Sequence, residues 1–209
     1  MKHYLTRFEE SVKNYWSRPA LGNYKGETFT FGEVATQCAK LHLFFENAGI
    51  SKGERMALCA KNTARWGMSF LAGNTYEAVM VPILADFHPD NVNSLVTHSE
   101  SSILFTDNEI WPKLSIEKMP SVKAVISTTD FALLYSADVQ VKEAFEKLEE
   151  NFAAKYPQGF SAENVSYPTD NDKDLAIINY TSGTSGNPKG VMLRYECISA
   201  NVAFGQKRL

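Results

Sequence analysis

Four short apolar runs between residues 56 and 128 constrain the fold more than any other feature of this chain. They are MALCA at 56–60, AVMVPIL at 78–84, SILFT at 102–106 and AVIST at 124–128. Each run is too short for a helix, and most are apolar without alternation, which is typical of strands buried on both faces. Helices with one polar face are predicted between them, at about 62–76 and 90–99. The chain is therefore predicted to be an α/β protein, a layered sheet of parallel strands with flanking helices.

Helix boundary signals precede these strands. Thr30 and Glu33 have the spacing of a capping box, in which the two side chains satisfy each other's free backbone N–H groups. They predict the start of a helix that ends with Gly49 at the C′ position. The side chains of this helix that are expected to face the core are Val34, Cys38, Leu41 and Phe45.

The carboxyl-terminal part combines a helix, a polar stretch and two strands. Apolar periodicity predicts a helix at about 140–155, and the polar segment 157–173 is expected to be a connector. The apolar strand LAIINY at 175–180 and the strand GVMLR at 190–194 enclose a glycine-rich segment, and a helix is expected at about 195–207. A loop held between two strands has fixed ends, so its hydrogen-bond donors can be aimed at a ligand.

The glycine-rich segment reads YTSGTSGNPKG at 180–190, and ordinary packing does not explain it. Its glycines can adopt positive φ angles and carry no Cβ, so successive backbone N–H groups can turn toward one anion. Its hydroxyl groups add donors, and its lysine supplies a charge that suits a phosphate oxygen. A plain Ser/Gly surface turn predicts neither a terminal lysine nor an apolar strand on each side. The residues expected to bind phosphate are Thr181, Ser182, Gly183, Thr184, Ser185, Gly186, Lys189 and Gly190.

Two common motifs do not fit this segment. In the ATPase P-loop pattern, Pro188 stands where the second glycine belongs, and Gly190 follows the lysine instead of a hydroxyl residue. In the nucleophile elbow G-x-S-x-G, Asn187 replaces the second glycine around Ser185. Because no histidine follows His98, the Ser, Asp, His order of an α/β-hydrolase cannot be assembled from this chain.

With these residues, YTSGTSGNPKGVML resembles the phosphate-loop signature of the AMP-forming adenylating enzymes, the superfamily of acyl-CoA synthetases, luciferases and nonribosomal peptide adenylation domains. Ser185 stands where the family usually has threonine, and the hydroxyl is retained. TFTFGEVA at 28–35 and LAGNTYEAVMVPI at 71–83 resemble two upstream family elements, although the second has Glu77 where glycine is usual. The segment 89–107 also resembles acyl-CoA synthetases, so the likeness spans nearly the whole chain.

The resemblance implies the large N-terminal domain of the adenylating-enzyme fold, in which a strand-loop-strand hairpin holds the β- and γ-phosphates of ATP. It also implies a two-step reaction. A carboxylate attacks the α-phosphorus of ATP to give an acyl-adenylate and diphosphate, and the thiol of CoA then takes the acyl group. Charge neutralisation by Mg²⁺ and cationic side chains drives such a reaction, without a protein nucleophile. By resemblance, Lys189 is the catalytic residue that neutralises phosphate charge, and Thr181 gives one oxygen to Mg²⁺.

Residues 1–209 are expected to be the N-terminal portion of the AMP-binding (adenylation) domain, ending shortly after the phosphate loop. Family members continue with an adenine-binding Thr-Glu segment, a ribose-binding Asp and a mobile domain with a catalytic lysine. None of these has a counterpart in the chain. We therefore expect the chain alone to be inactive, and to self-associate through apolar faces that the missing part would cover.

Composition agrees with a soluble globular protein: 209 residues, 44% of them hydrophobic, and a net charge of −3. No lysine or arginine cluster predicts a nucleic-acid partner, and no apolar run of about 18 residues predicts a transmembrane segment. Three cysteines, odd in number and far apart, favour buried thiols and a cytoplasmic location. The four histidines lack the spacing of metal ligands, so no metal cluster is expected.

Three functions remain open at this point. The favoured one is the N-terminal part of an ATP-dependent acyl-CoA ligase, with a fatty acid as the carboxylic acid because the upstream elements most resemble that branch. The second is another adenylating enzyme, one that activates an aryl acid or an amino acid. The third is a non-catalytic domain that binds a nucleotide.

Overall fold

The computed structural model describes residues 1–181 and 189–207. Within these ranges the strands are β1 (Pro19–Gly22), β2 (Thr28–Thr30), β3 (Arg55–Cys59), β4 (Val79–Ile83), β5 (Ile103–Thr106), β6 (Ala124–Ser127), β7 (Leu133–Ser136), β8 (Leu175–Thr181) and β9 (Lys189–Arg194). The α-helices are α1 (Tyr4–Asn14), α2 (Phe31–Asn47), α3 (Ala64–Thr75), α4 (Pro89–His98), α5 (Val139–Glu146), α6 (Leu148–Lys155) and α7 (Tyr195–Gln206).

The central sheet has the strand order β7-β6-β5-β3-β4-β8-β9. Strands β3, β4, β5, β6 and β8 run parallel, whereas β7 and β9 are antiparallel strands at its two edges. All four apolar runs of the sequence are parallel strands, as predicted. A separate antiparallel pair, β1 and β2, lies before α2. The predicted α/β fold with flanking helices is confirmed.

Helices cover both faces of this sheet, which explains why its strands are apolar without alternation. One face packs on α2, α3 and α5, and the other packs on α4 and the segment that follows β5. Successive residues of β3 alternate between the two cores: Met56 and Leu58 face the first, and Ala57 and Cys59 face the second. All four are completely buried.

The predicted cap of α2 is confirmed in detail. Thr30 Oγ1 accepts a hydrogen bond from the Glu33 backbone N–H at 3.2 Å, and Glu33 Oε2 accepts one from the Thr30 N–H at 2.7 Å. The Thr30 backbone N–H and hydroxyl both donate to the carboxylate, which favours its ionised form and lowers the pKa of Glu33. Gly49 follows the helix with φ +68°, as its C′ position requires.

Two features between residues 129 and 156 differ from the predictions. The single helix expected at 140–155 is two helices, α5 and α6, because Lys147 has φ −93° and ψ 7° and interrupts the helical repeat. No glycine or proline marks this break, and the apolar spacing continues across it. Strand β7 was not predicted, because its four residues are all half-buried and show no alternation.

The polar segment at 157–173 is attached to the body of the protein by a few side chains. Val165 is buried beside Val12 and Ala35, and Tyr167 stacks on Phe8 with ring centroids 5.5 Å apart. The connector therefore lies against α1 and α2 before the chain enters β8.

The first and last helices meet at a buried asparagine of α3. Tyr4 of α1 donates its hydroxyl to Asn74 Oδ1 at 2.6 Å, and its backbone N–H to Ser199 Oγ of α7 at 3.0 Å. Tyr195 of α7 donates its hydroxyl to the Asn74 carbonyl at 2.8 Å. The Asn74 amide in turn donates to the carbonyl of Ala176 in β8 at 3.0 Å. This Asn74 cluster joins α1, α3, α7 and β8.

No helix within residues 1–181 and 189–207 has the length and apolar character needed to cross a membrane.

Candidate functional site: the β8–β9 hairpin

Strands β8 and β9 form an antiparallel pair at the carboxyl edge of the parallel sheet. Ile177 of β8 pairs with Met80 of β4, and β8 then continues for four residues to Thr181. At about 3.3 Å per residue, this extension carries the end of β8 about 13 Å beyond that pairing. The carboxyl edge is where open α/β sheets bind their ligands. Both strands of the predicted strand-loop-strand arrangement are therefore present, and they lead to the edge of the sheet where a ligand site is expected.

Thr181 and Lys189 are the last described residues on either side of the glycine-rich segment, and they are direct partners in the β8–β9 register. Side chains of directly opposite residues lie on one face of a sheet, with Cβ atoms about 4.5–5.5 Å apart. Both residues are exposed. Within the described ranges, no hydrogen bond or ion pair occupies the Lys189 ammonium. A hydroxyl and a lysine cation thus flank the segment.

The other predicted phosphate-binding residues of this segment lie outside the described residues. They are Ser182, Gly183, Thr184, Ser185 and Gly186. Their contacts with phosphate stay a prediction.

Gly190 lies in β9 in extended conformation, so it does not use the positive φ region that glycine allows. The structure requires glycine here for a steric reason. A Cβ on Gly190 would lie 2.9 Å from Ile178 Cγ2 and 3.4 Å from the Tyr180 ring. Because Gly190 has no side chain, the side chains of Ile178 and Tyr180 in β8 can pack close to the backbone of β9.

Tyr180, the first residue of the motif, contacts a histidine that is 82 positions earlier in the chain. The Tyr180 hydroxyl and His98 Nδ1 are 2.6 Å apart, and the two rings meet at 73° with centroids 5.7 Å apart. Burial raises the pKa of Tyr180, which keeps its hydroxyl protonated. Sequence reasoning missed this contact. His98 lay in a segment already noted for its family resemblance, but nothing in the spacing pointed to its partner.

A cavity of about 450 Å³ opens beside the hairpin, at the carboxyl ends of β3 and β4. This volume is within the usual range for ligand sites. Trp66 and Phe87 give it an aromatic part, and Lys61 and Asp86 give it charged groups. It shares Tyr180 with the hairpin, so open space lies next to the end of β8.

The described residues do not form a metal site. Within 1–181 and 189–207, no group of three or more His, Cys, Asp and Glu side chains could hold an ion. Thr181 offers a single neutral oxygen, whereas Mg²⁺ usually takes one or two carboxylates together with substrate phosphates. Thr181 alone therefore does not fit a resident magnesium ion.

The two buried cysteines are not activated nucleophiles. Cys38 and Cys59 are buried as expected, and burial raises the pKa of each thiol to about 12. The expectation of three buried thiols was wrong for Cys197, which is exposed. This residue lies in α7, whose packed side is formed by residues such as Tyr195 and Ser199.

The chain is similar to known proteins over nearly its whole length. Residues 8–208 match the family model described as AMP-binding enzyme. Long chain acyl-CoA synthetase 6, peroxisomal, of Arabidopsis thaliana is 31% identical over 185 residues, which are 88% of this chain and 26% of that protein. Trans-cinnamate:CoA ligase, peroxisomal, of Petunia hybrida is 26% identical over 200 residues, which are 90% of this chain and 34% of that protein.

A solved structure shares the fold. The crystal structure of a long-chain-fatty-acid-CoA ligase from Archaeoglobus fulgidus superposes with a TM-score of 0.70 at 21% identity, over 94% of this chain and 37% of that one. The chain thus spans about a quarter to a third of the length of the two curated relatives.

Proposed function

The chain belongs to the AMP-binding enzyme family, and on that premise we propose that it carries the phosphate-binding part of an ATP-dependent, AMP-forming acyl-CoA ligase. The observation that carries this proposal is the motif YTSGTSGNPKG between two paired strands at the carboxyl edge of the sheet. The overall reaction converts a carboxylic acid, ATP and CoA to acyl-CoA, AMP and diphosphate. It passes through an acyl-adenylate formed by attack of the carboxylate on the α-phosphorus.

In this proposal the hairpin binds the diphosphate end of ATP. Lys189 neutralises the negative charge that leaves with diphosphate, and the backbone N–H groups of 182–186 and of Gly190 donate to its oxygens. Preorganised donors act most strongly where charge develops, so Lys189 contributes more to the transition state than to binding of the acid. Mg²⁺ would arrive on the ATP phosphates, with Thr181 offering one further oxygen.

The proposed acid is a fatty acid. The relative that supports it is named a long chain acyl-CoA synthetase and is 31% identical. An aryl acid is the second candidate, supported by the 26% identical trans-cinnamate:CoA ligase. The two can be separated in a ligase that contains this chain, by comparing kcat/KM for palmitate and for cinnamate. A preference for cinnamate would replace the first assignment by the second.

The phosphate-binding role is tested by titrating the chain with ATP in a calorimeter. A hydrogen bond to a charged group contributes about 1.5–3 kcal/mol, so Lys189→Ala should weaken ATP binding roughly ten- to a hundredfold. Lys25→Ala is the matched control, because Lys25 is an exposed lysine in the turn between β1 and β2. It removes the same charge and should leave the affinity unchanged. Equal losses of ATP affinity in both variants would show that the net charge of the chain, and not the position of Lys189, determines binding. A wild-type chain that does not bind ATP would contradict the proposal.

Adenylation separates an enzyme from a domain that only binds nucleotide. We propose that the chain by itself gives no ATP–diphosphate exchange, since it spans 26% of its long-chain relative. Measurable exchange by the purified chain would show this part of the proposal to be wrong.

In a ligase that contains the chain, Lys189→Ala should lower the rate of adenylation much more than it raises the Kd of the acid. Equal effects on both would contradict the role given to Lys189.

Two further properties are proposed. The first is a cytoplasmic location, supported by three cysteines without a disulfide in the described residues and tested by imaging a fluorescent fusion. The second is self-association of the 209-residue chain, supported by Val191 and Met192 of the edge strand β9, which are 45% and 71% exposed. Light scattering at increasing concentration tests it, and a constant monomer mass would contradict it.

A further inference from the structure

The His98–Tyr180 contact joins the end of α4 to the last part of β8. His98 is the final residue of α4, and Tyr180 is the last residue but one of β8. The ring of Tyr180 also packs with the core on the α4 side of the sheet. Ile177 of β8 pairs with Met80 of β4. Among the described residues of β8 that follow Ile177, Tyr180 makes the one side-chain hydrogen bond to another element, and its partner is His98.

Strand β9 cannot provide the same support. It is the edge strand of the sheet in the described ranges, and five of its six residues are exposed. At the rung where Tyr180 lies, its partner is Gly190, which has no side chain to pack against the ring. A Cβ at Gly190 would lie 3.4 Å from the ring, so the ring packs close to the β9 backbone at this residue. What fixes its far end is the hydrogen bond to His98.

The hydrogen bond between the Tyr180 hydroxyl and His98 Nδ1 is compatible with either direction, because a phenol O–H both donates and accepts and Nδ1 does one or the other according to the tautomer of the ring. An asparagine at position 98 could place an amide group near the same point, whereas alanine could not. This difference allows a conservative variant to restore the contact.

From this geometry we propose that His98 is a positioning residue for the phosphate-binding segment. It holds Tyr180 and thereby fixes the end of β8, so that Thr181 and the residues after it start from one defined place. The inference rests on the proposed function, in which 181–190 binds the phosphates of ATP. His98 itself needs no contact with nucleotide, and its effect passes through Tyr180.

The positioning is tested first without nucleotide, by hydrogen exchange of peptides that contain β8 and β9. His98→Ala and Tyr180→Phe should each speed exchange of the backbone amides there about two- to tenfold, the range for one neutral hydrogen bond. Because both remove the same bond, the double variant should exchange no faster than the faster single variant. His98→Asn should restore protection. Ser94→Ala is the matched control, since Ser94 is exposed one turn earlier on α4 and bonds only within that helix.

Titration with ATP then shows whether positioning reaches the phosphate site. The same two single variants should weaken ATP binding about two- to tenfold, with no further loss in the double variant and recovery in His98→Asn. Unchanged exchange, or additive effects in the double variant, would overturn the inference. Faster exchange with unchanged ATP affinity would overturn it too, because His98 would then serve stability alone. If the wild-type chain binds no ATP, the proposed function fails, and the exchange pattern still decides whether His98 holds β8.

Discussion

Glu77 provides a test of backbone strain at a position where the family usually has glycine. It follows α3 at the C′ position with φ +66°, in the left-handed region that favours glycine. The backbone N–H of Ala78 reaches back to the carbonyl of Gly73 at 2.9 Å, which closes the helix end and fixes this conformation. The side chain compensates in part. It forms an ion pair with Lys52 and accepts a hydrogen bond from the Asn171 amide at 3.4 Å.

The magnitudes of these effects predict an order of stability among three proteins. Glu77→Ala loses the ion pair, worth about 0.2–1 kcal/mol, and the hydrogen bond, worth about 0.5–1.5 kcal/mol, and keeps the strain. Its free energy of unfolding should fall by about 1–2 kcal/mol. Glu77→Gly loses the same contacts but gains about 1–2 kcal/mol of strain relief, less about 0.5–1 kcal/mol for the freedom of glycine in the unfolded chain. It should be about 0.5–1 kcal/mol more stable than the alanine variant and still below the wild type.

Thermal unfolding can resolve these differences, because about 1 kcal/mol shifts the Tm of a chain of this size by roughly 2–4 °C. The matched control is the same pair of substitutions at Glu150, an exposed residue in helical conformation in α6. Glycine is less favourable than alanine by about 1 kcal/mol in a helix, so the order of the two variants should be reversed there. A Glu77→Gly protein that is no more stable than Glu77→Ala would refute the reasoning.

Three further predictions concern stability and reactivity. Burial lowers the pKa of His42 to about 4, below about 6.5 for an unfolded histidine, so the unfolded chain takes up the proton first as pH falls. Stability should drop by about 2 kcal/mol between pH 7 and 5, and urea titration of His42→Gln should lack this part of the drop. Gly190→Ala should cost about 1–3 kcal/mol through overlap with β8, measured as a lower Tm. A thiol reagent should modify Cys197 in the native protein but Cys38 and Cys59 only after unfolding, and labelling of three thiols at once would contradict the burial.

The sequence predicted those parts of the fold that depend on local patterns. Apolar runs without alternation identified the parallel strands, because a strand covered on both faces needs apolar side chains on both. Thr30 and Glu33 identified the start of α2, because capping involves residues three positions apart. Lys147 shows the limit of such patterns. The predicted helix is interrupted there, although neither the composition of the sequence nor the spacing of its apolar residues changes.

The candidate site was predictable only in part. The motif and the strands predicted at 175–180 and 190–194 indicated a strand-loop-strand hairpin, and the register of β8 and β9 adds Thr181 and Lys189 as partners. The reason for Gly190 was not accessible, because it depends on which side chains of β8 cross the neighbouring strand. The His98–Tyr180 contact was missed for a related reason. It joins residues far apart in the chain, and a single sequence carries no record of such a pairing.

The Asn74 cluster has a consequence for the order in which the protein acquires its structure during synthesis. Tyr4 is synthesised about 190 residues before two of its partners, Tyr195 and Ser199. At about 5–20 residues per second, α1 waits roughly 10–40 s for α7. During that interval α7 does not yet pack on the apolar side of α1, so chaperones can bind this exposed surface. The docking of α1 on α7 would thus follow the synthesis of β8 and β9.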